Sequence, residues 1–398
     1  MPRTSTLCFK PTLSPGVGSS STSRPWWALA SPSIRLFLPL GPFVSCPSSP
    51  CRRCCGPFPW SRGSRSFCIT RRRSVVAFAG PRFMAEPLDP AHWPLVRGEA
   101  RGLDFVLREG GSGSAVPWLL VHSINAAASA AEMAPLAKRL ATQGPVVLLE
   151  LPGFGEAGRP EHAYGIEDFV AAISAAQGFC AERFGQAPVL CALSLSAEFA
   201  ARAVLWGAPT PPAVVWIAPT GLDSRSLRRA EQPVAAAPPV PHRGSDRVFA
   251  WLHGRPLGRW GFRLLRRPGV IRYFLRRTFG RRTIDETLFQ AACRVARAPG
   301  AEHAPLAFLS GRLFAQDAPA LYRALSVPQV IVHGQRGDFQ DYGGIEALKR
   351  AAKAPVTAQA LPTGALPHIE APAAFAAAVF RGLGTALAPA LGPSFSTT

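Results

Sequence analysis

From Leu103 onward, short and mostly apolar runs alternate with longer segments in which apolar residues recur at helical spacing. The runs fall at 118–121, 146–149, 189–192, 214–217, 330–332 and 356–361, and a more polar pair near 97–108 precedes them. Short runs rich in Val, Leu and Ile, apolar on both faces, predict strands of a parallel sheet covered by helices on both sides. The helical windows are 130–142, 166–184, 197–205, 345–352 and 371–383. This alternation predicts an α/β class, a mostly parallel, doubly wound sheet. One interval breaks the rhythm. About 110 residues separate Ile217 from Val330, far more than an αβ connection requires. The stretch 220–327 is therefore expected to be a helical cap insertion and return helix over the carboxyl ends of the strands, where open parallel sheets bind ligands. The core is then 84–219 together with 328–383.

Composition sets the two ends of the chain apart. Residues 1–83 hold one Lys and eleven Arg with no Asp or Glu, so +12 of the chain's formal +20 lies there. A segment rich in Ser, Pro and Arg buries too little apolar surface to offset its ordering entropy, and disorder is expected. Two readings of this extension stand side by side: an organelle transit peptide, for a chloroplast or mitochondrion, or a gene-model artefact upstream of a start at Met84 in a cytoplasmic protein. The extension also carries six of the nine cysteines, including Cys51-Arg-Arg-Cys54-Cys55, whose CxxC spacing lacks the second ligand pair of a metal site. Cys180, Cys191 and Cys293 are too few and too scattered for a disulfide framework. Residues 384–398, rich in Ala, Pro and Ser, are expected to be a disordered tail. No apolar run reaches membrane-spanning length.

Candidate chemistry enters with Ala192-Leu-Ser194-Leu-Ser196, a serine placed between an apolar strand and a helix. In such an elbow the residues two before and two after the nucleophile nearly touch, so both must be small. Ala192 and Ser196 meet this condition. Ser196 as nucleophile would be flanked by Glu198, which is too large, and the register is thereby fixed on Ser194. Three further segments fall around it: Leu119-Leu-Val-His122-Ser-Ile-Asn125, Leu149-Glu-Leu-Pro152-Gly-Phe-Gly155, and Val330-Ile-Val-His333-Gly-Gln-Arg-Gly-Asp338. Near the end stands Leu361-Pro-Thr-Gly364-Ala365-Leu-Pro-His368-Ile-Glu370-Ala-Pro.

Taken in order, these segments resemble the α/β-hydrolase superfamily, of the AB hydrolase-1 type, over roughly residues 103–383. The resemblance implies an α/β-hydrolase sheet and an oxyanion hole formed by the backbone N–H groups of Ile124 and Leu195. Asn125 either adds a side-chain donor or bonds its own turn. The triad acid maps to Asp338, one residue later than usual, with Asp341 as substitute. The family's closing Gly-His-x-Pro-His-x-Glu-x-Pro puts its general base at the first histidine, and that position is Ala365 here. His368 matches the second histidine and is the remaining histidine that follows the acid. His303, where the chain returns from the insertion, is an alternative base. A serine hydroxyl is a poor nucleophile without a base, so the expectation is a serine hydrolase acting on an ester or other acyl substrate with an altered or weakened base. The alternative is a non-catalytic member that binds a ligand or partner. His122 and His333 are read as structural, and His92, His162, His242 and His253 as surface residues.

Charge adds one more feature. Ten arginines, six aromatics and no acid fall between Trp251 and Arg282. Over 270–279, Val270, Ile271, Phe274 and Leu275 share one helical face and Arg272 and Arg276 another. Such a helix either packs on the main domain with a solvated arginine face or contacts an anionic membrane surface. The expected partner is a small acyl or lipid-like substrate. No cofactor or metal is implied, and no recognised nucleic-acid module accompanies the charge.

Overall fold

The computed structural model describes residues 89–224, 232–253, 255–338 and 341–391. The basic extension 1–83, with its cysteine cluster, and the last seven residues lie outside the described residues. Eight strands form one sheet: β1 (Leu95–Ala100), β2 (Leu103–Gly110), β3 (Trp118–Val121), β4 (Val146–Glu150), β5 (Val189–Leu193), β6 (Val214–Ile217), β7 (Gln329–His333) and β8 (Val356–Ala360). Their order is β1-β2-β4-β3-β5-β6-β7-β8. The β1·β2 and β2·β4 pairs are antiparallel, and every other pair is parallel.

Side-chain alternation divides the core between the two faces of the sheet. Leu119, Val121, Val147, Leu149, Leu190, Ala192, Val214 and Trp216 belong to one cluster, which takes in Phe169 of α2 (Ile166–Phe184) and Phe199 of α3 (Ser196–Leu205). Their neighbours Leu120, Val146, Leu148, Val189, Cys191, Leu193, Val215 and Ile217 belong to the other. That second cluster takes in Leu136 and Leu140 of α1 (Ala134–Leu140), and Phe375 and Val379 of the C-terminal helix Pro372–Leu391. Every residue of β4, β5 and β6 is buried. Burial on both faces explains why these strands read as unbroken apolar runs.

The C-terminal helix corrects one expectation. The periodicity predicts a helix over 371–383 and a disordered tail behind it, but the helix continues to Leu391. Alanine and leucine are strong helix formers, and Thr385 Oγ1 donates back to the Arg381 carbonyl at 2.9 Å.

Between β6 and β7 the described residues form six helices: α4 (Asp246–Leu252), α5 (Pro256–Leu265), α6 (Pro268–Phe279), α7 (Glu286–Val295), α8 (His303–Leu309) and α9 (Ala318–Ala324). After β7 come α10 (Ile345–Ala351), α11 (Pro367–Glu370) and the C-terminal helix, α12. The β6–β7 insertion is fastened to α3 by buried charge. Arg202 Nη2 meets Asp317 Oδ1 at 2.5 Å, with the arginine side chain wholly buried. Asp317 Oδ2 also accepts the Ala235 N–H at 2.8 Å. One turn earlier on α3, Glu198 accepts the Thr220 hydroxyl at 2.5 Å and the Ala315 N–H at 3.3 Å. Burial raises the Glu198 carboxyl above its ordinary range, and nearby Arg243 works against that shift.

Removing one partner of a buried ion pair leaves the other uncompensated. Asp317→Ala is expected to destabilise the fold by roughly 3–5 kcal/mol. The midpoint of urea denaturation measures this, and replacing Arg202 with Met in the same chain should recover part of the loss.

Candidate functional site

Leu193 ends β5 and Ser196 begins α3, so two residues turn the chain from strand to helix. Ser194 makes this turn at φ 57°, a left-handed conformation that a non-glycine residue adopts at a cost of about 1–3 kcal/mol. Its N–H donates to the Ile217 carbonyl at 2.8 Å, and its own carbonyl accepts from Ala197 at 3.1 Å. Both flanking positions, Ala192 and Ser196, are fully buried, while Ser194 itself stays half-buried. The Ser196 hydroxyl donates to the His122 carbonyl at 2.5 Å, tying the elbow to the turn after β3.

That turn is organised by Glu132, a buried carboxylate that the motifs did not single out. Its Oε2 accepts the Ser123 N–H at 2.9 Å, and its Oε1 accepts Asn125 Nδ2 at 2.8 Å. Asn125 Nδ2 also reaches Ser123 Oγ at 2.8 Å, while Asn125 Oδ1 accepts from Ala127 at 2.8 Å. Asn125 is therefore spent on its own turn, the second of its two readings. Burial raises the Glu132 carboxyl above its ordinary range. The one sequence signal for this role was an acid at the start of a predicted helix beside the turn.

Ile124 and Leu195 lie on either side of this junction, 3 % and 1 % exposed. Neither backbone N–H has a hydrogen-bond acceptor among the described residues. Buried N–H groups are nearly always paired, so these two stand out by lacking a partner in the fold.

The loop after β4 is held in a similar way. Glu150 accepts the N–H groups of Ala130 at 2.6 Å and Glu156 at 2.8 Å, and burial pushes its carboxyl up to about 7. Gly155, at φ 51°, passes so close to this carboxylate that a Cβ would collide with it.

The positions expected to carry the acid and the base, Asp338 and Ala365, both meet the end of α6. Ala365 is buried, and its N–H donates to the Thr278 carbonyl at the end of α6 at 2.9 Å. The Asp338 N–H donates to the Arg277 carbonyl at 3.2 Å, and the Asp338 carboxylate pairs with Arg277 Nε. Phe279, the last residue of α6, is buried in the cluster that contains Leu193, Ile217, Val332, Leu361 and Leu366. Gly364 has no room for a side chain against Thr278 and Phe279. The C-terminal end of α6 is thus seated on both loops. Glu370 completes the assembly: its carboxylate accepts from the Gly364 N–H at 2.6 Å, from Arg336 at 2.7 Å, and pairs with Arg281 at 3.3 Å. Asp341, the substitute acid, accepts from the Ser224 hydroxyl at 2.7 Å and from the Gly343 N–H at 3.1 Å.

The histidines are held elsewhere. His368 is buried on α11, and its Nε2 donates to the Glu132 carbonyl at 2.8 Å, which leaves Nδ1 as the lone-pair nitrogen. His122 donates from Nδ1 to the Ser123 carbonyl at 2.6 Å and accepts the Leu151 N–H at Nε2. Burial pushes both imidazoles down to about 4. His333 contacts the Gly334 carbonyl and lies against the Tyr342 ring. His303 is buried at the start of α8, its ring 5.9 Å from that of His253. His253 in turn stacks on Phe249 and is half-buried, so it is not a surface residue. Among the described residues, no side chain hydrogen-bonds the Ser194 hydroxyl.

Two measurements probe this arrangement. Glu132→Ala orphans the Ser123 N–H and removes one of the two acceptors of the Asn125 amide, and should lower stability by about 1–3 kcal/mol in chemical denaturation. His122 and His368 stay neutral in the fold and gain protons on unfolding. Their contribution is therefore full above about pH 6.5 and lost as pH falls toward 4, on the order of 3 kcal/mol each. Glu150 acts in the opposite sense, its contribution present below about 4.5 and lost as pH rises through 7. Glu132 and Glu198, also raised by burial, act with Glu150, and His303 and His333 act with the two histidines, so the histidine limb between pH 6.5 and 4.5 is read as the difference in Tm between a variant and the wild type. His368→Asn, which keeps a donor for the Glu132 carbonyl, should flatten that limb in calorimetry.

No family model matches the sequence, and no curated protein matches it. Solved structures do. A probable hydrolytic enzyme from Pseudomonas aeruginosa superposes with a TM-score of 0.57 at 18% identity, covering 73% of this chain and 95% of that one. 2-Hydroxy-6-oxo-6-phenylhexa-2,4-dienoate hydrolase from Rhodococcus gives 0.55 at 16% identity, covering 73% and 99%. An esterase from Exiguobacterium antarcticum gives 0.52 at 14% identity, covering 72% and 97%. With its strand order, its positive-φ serine between β5 and α3 and these likenesses, the chain has the α/β-hydrolase fold.

Proposed function

We propose that this protein acts on an ester or other acyl compound at Ser194, as a serine hydrolase with a weakened base. The observation that carries the reading is the pair of orphan N–H groups at Ile124 and Leu195 beside a serine held at φ 57°. In this reading the Ser194 hydroxyl attacks the acyl carbon, and the two amides stabilise the oxyanion that develops. The proton must leave without an ordinary triad. His368 offers Nδ1, but an imidazole pushed down to about 4 is a weak acceptor at neutral pH. His303, unpartnered at Nδ1, is the alternative acceptor. Hydrolase and esterase neighbours support the chemistry as a class.

A second reading, a non-catalytic protein that keeps the pocket for ligand binding, is favoured by one feature. Arg277 engages Asp338, and Thr278 engages Ala365, so the end of α6 stands where an acid and a base would meet.

A fluorophosphonate probe separates the two readings. The expected outcome is slow labelling that disappears in Ser194→Ala. No adduct on folded protein supports the binder. Ala365→His alone should add little esterase activity on a p-nitrophenyl ester, because Arg277 still holds the acid. Together with Arg277→Ala it should add more than either change does singly.

A further inference from the structure

Helix α5 presents three faces. Gly258 and Phe262 are buried and Leu265 half-buried, and these three lie on one side. At 100° per residue, Arg255, Arg259, Arg263 and Arg266 follow on the next side. Leu257, Trp260 and Leu264 form the third, and they are 44 %, 64 % and 43 % exposed. Helix α4, packed on α5, adds Val248 and Trp251, 42 % and 52 % exposed. These five are more than half of the large apolar side chains that stand exposed in the described residues, and they come from two adjacent helices. Helix α6, whose sequence suggested a membrane face, is ruled out for that role. Its Ile271 and Leu275 pack with Phe289, Ala292 and Cys293 of α7, and Phe279 is in the core.

Charge selects the occupant of the exposed stripe. Arg255, Arg263, Arg266 and Arg267 have no carboxylate partner among the described residues, and Arg259 reaches only the exposed Glu161 at 3.4 Å. Beside the stripe lies a cavity of about 200 Å³, lined by Arg259, Arg263, Arg266, Arg297, Phe262 and one acid, Glu302. A second copy of this chain would bring like charge to like charge. The chain's own extension, at +12, would do the same. A surface offering phosphate oxygens at its rim and hydrocarbon just beneath fits both the arginines and the tryptophans.

We propose that the α4–α5 face docks this protein on an anionic phospholipid bilayer. Leu257, Trp260 and Leu264 enter the interface, and the arginine cavity receives lipid phosphate. The inference stands apart from catalysis at Ser194, because it concerns binding alone.

Sedimentation of the full chain with vesicles tests it. Binding to phosphatidylcholine vesicles containing phosphatidylserine should exceed binding to phosphatidylcholine alone, and should weaken with salt. Trp260→Ser with Leu264→Ser, and separately Arg263→Gln with Arg266→Gln, should each reduce partitioning by about tenfold or more. All four side chains lie at least partly exposed, and unchanged thermal melting shows that the variants fold. Wild-type binding by either double variant overturns the proposal and assigns the attraction to charge elsewhere in the chain. Equal binding to both vesicle types overturns it as well. Full vesicle binding by the apolar variant, with loss of binding in millimolar inorganic phosphate, would make the cavity a free-phosphate site and not a lipid one. Ser194→Ala should bind vesicles like the wild type, so this result and the labelling result are independent.

Discussion

Two residues reverse the chain between the end of β5 and the first turn of α3, and that geometry governs most of what surrounds it. A serine at φ 57° stores about 1–3 kcal/mol of strain, which persists only where neighbouring contacts over-determine the turn. Here Ile217 holds the Ser194 N–H, and Ser196 reaches across to the His122 carbonyl. Because the Ser196 hydroxyl fixes the strand end at His122, the turn that follows β3 has one position relative to the elbow. Glu132 then fixes the next residues by accepting from Ser123 and Asn125. The amides of Ile124 and Leu195 are left without an acceptor among the described residues at the junction these contacts build.

The opposite side of the elbow is organised by a helix end. The last carbonyls of a helix have no intrahelical donor and must find one elsewhere. At the end of α6 they find it in the N–H groups of Ala365 and Asp338, one from each of the loops after β8 and β7. Arg277 and Arg281, in and just beyond the last turn of α6, pair with Asp338 and Glu370 on those same segments. These contacts hold the loops in register without a histidine. Thr278 approaches closely enough to accept from Ala365 and to leave no room for a side chain at Gly364.

How far the sequence could be read follows from the range of each interaction. Residues 118–121, 166–184 and 214–217 were expected as elements and form them with the same limits, because burial on both faces or helical spacing is written into neighbouring residues. Ser194 was legible for a similar reason, its register set by the residues two places away on either side. The fate of His368 was not, since its partner Glu132 lies 236 residues earlier in the chain. Glu132 itself belonged to no motif. The spacing over 270–279 predicts an amphipathic basic helix, and α6 is one, but amphipathicity does not say what covers the apolar face. Residues of α7 cover it, whereas the stripe on α5 is left bare.

The arginines of the insertion therefore differ in kind, although they look alike in sequence. Arg272 lies over the Phe289 ring and pairs with Glu286, so it fastens α6 to α7. Arg277 and Arg281 fasten α6 to the loops beside the elbow. Arg255, Arg263, Arg266 and Arg267 have no such partner among the described residues, and no acid occurs between Trp251 and Arg282 to supply one. Like charges left this close repel one another and destabilise the compact state. Their concentration on the helix that also exposes Trp260 is a cost to folding that association with an anionic surface would relieve. The same insertion thus meets the loops after β7 and β8 through one helix and leaves an apolar and basic stripe bare on another.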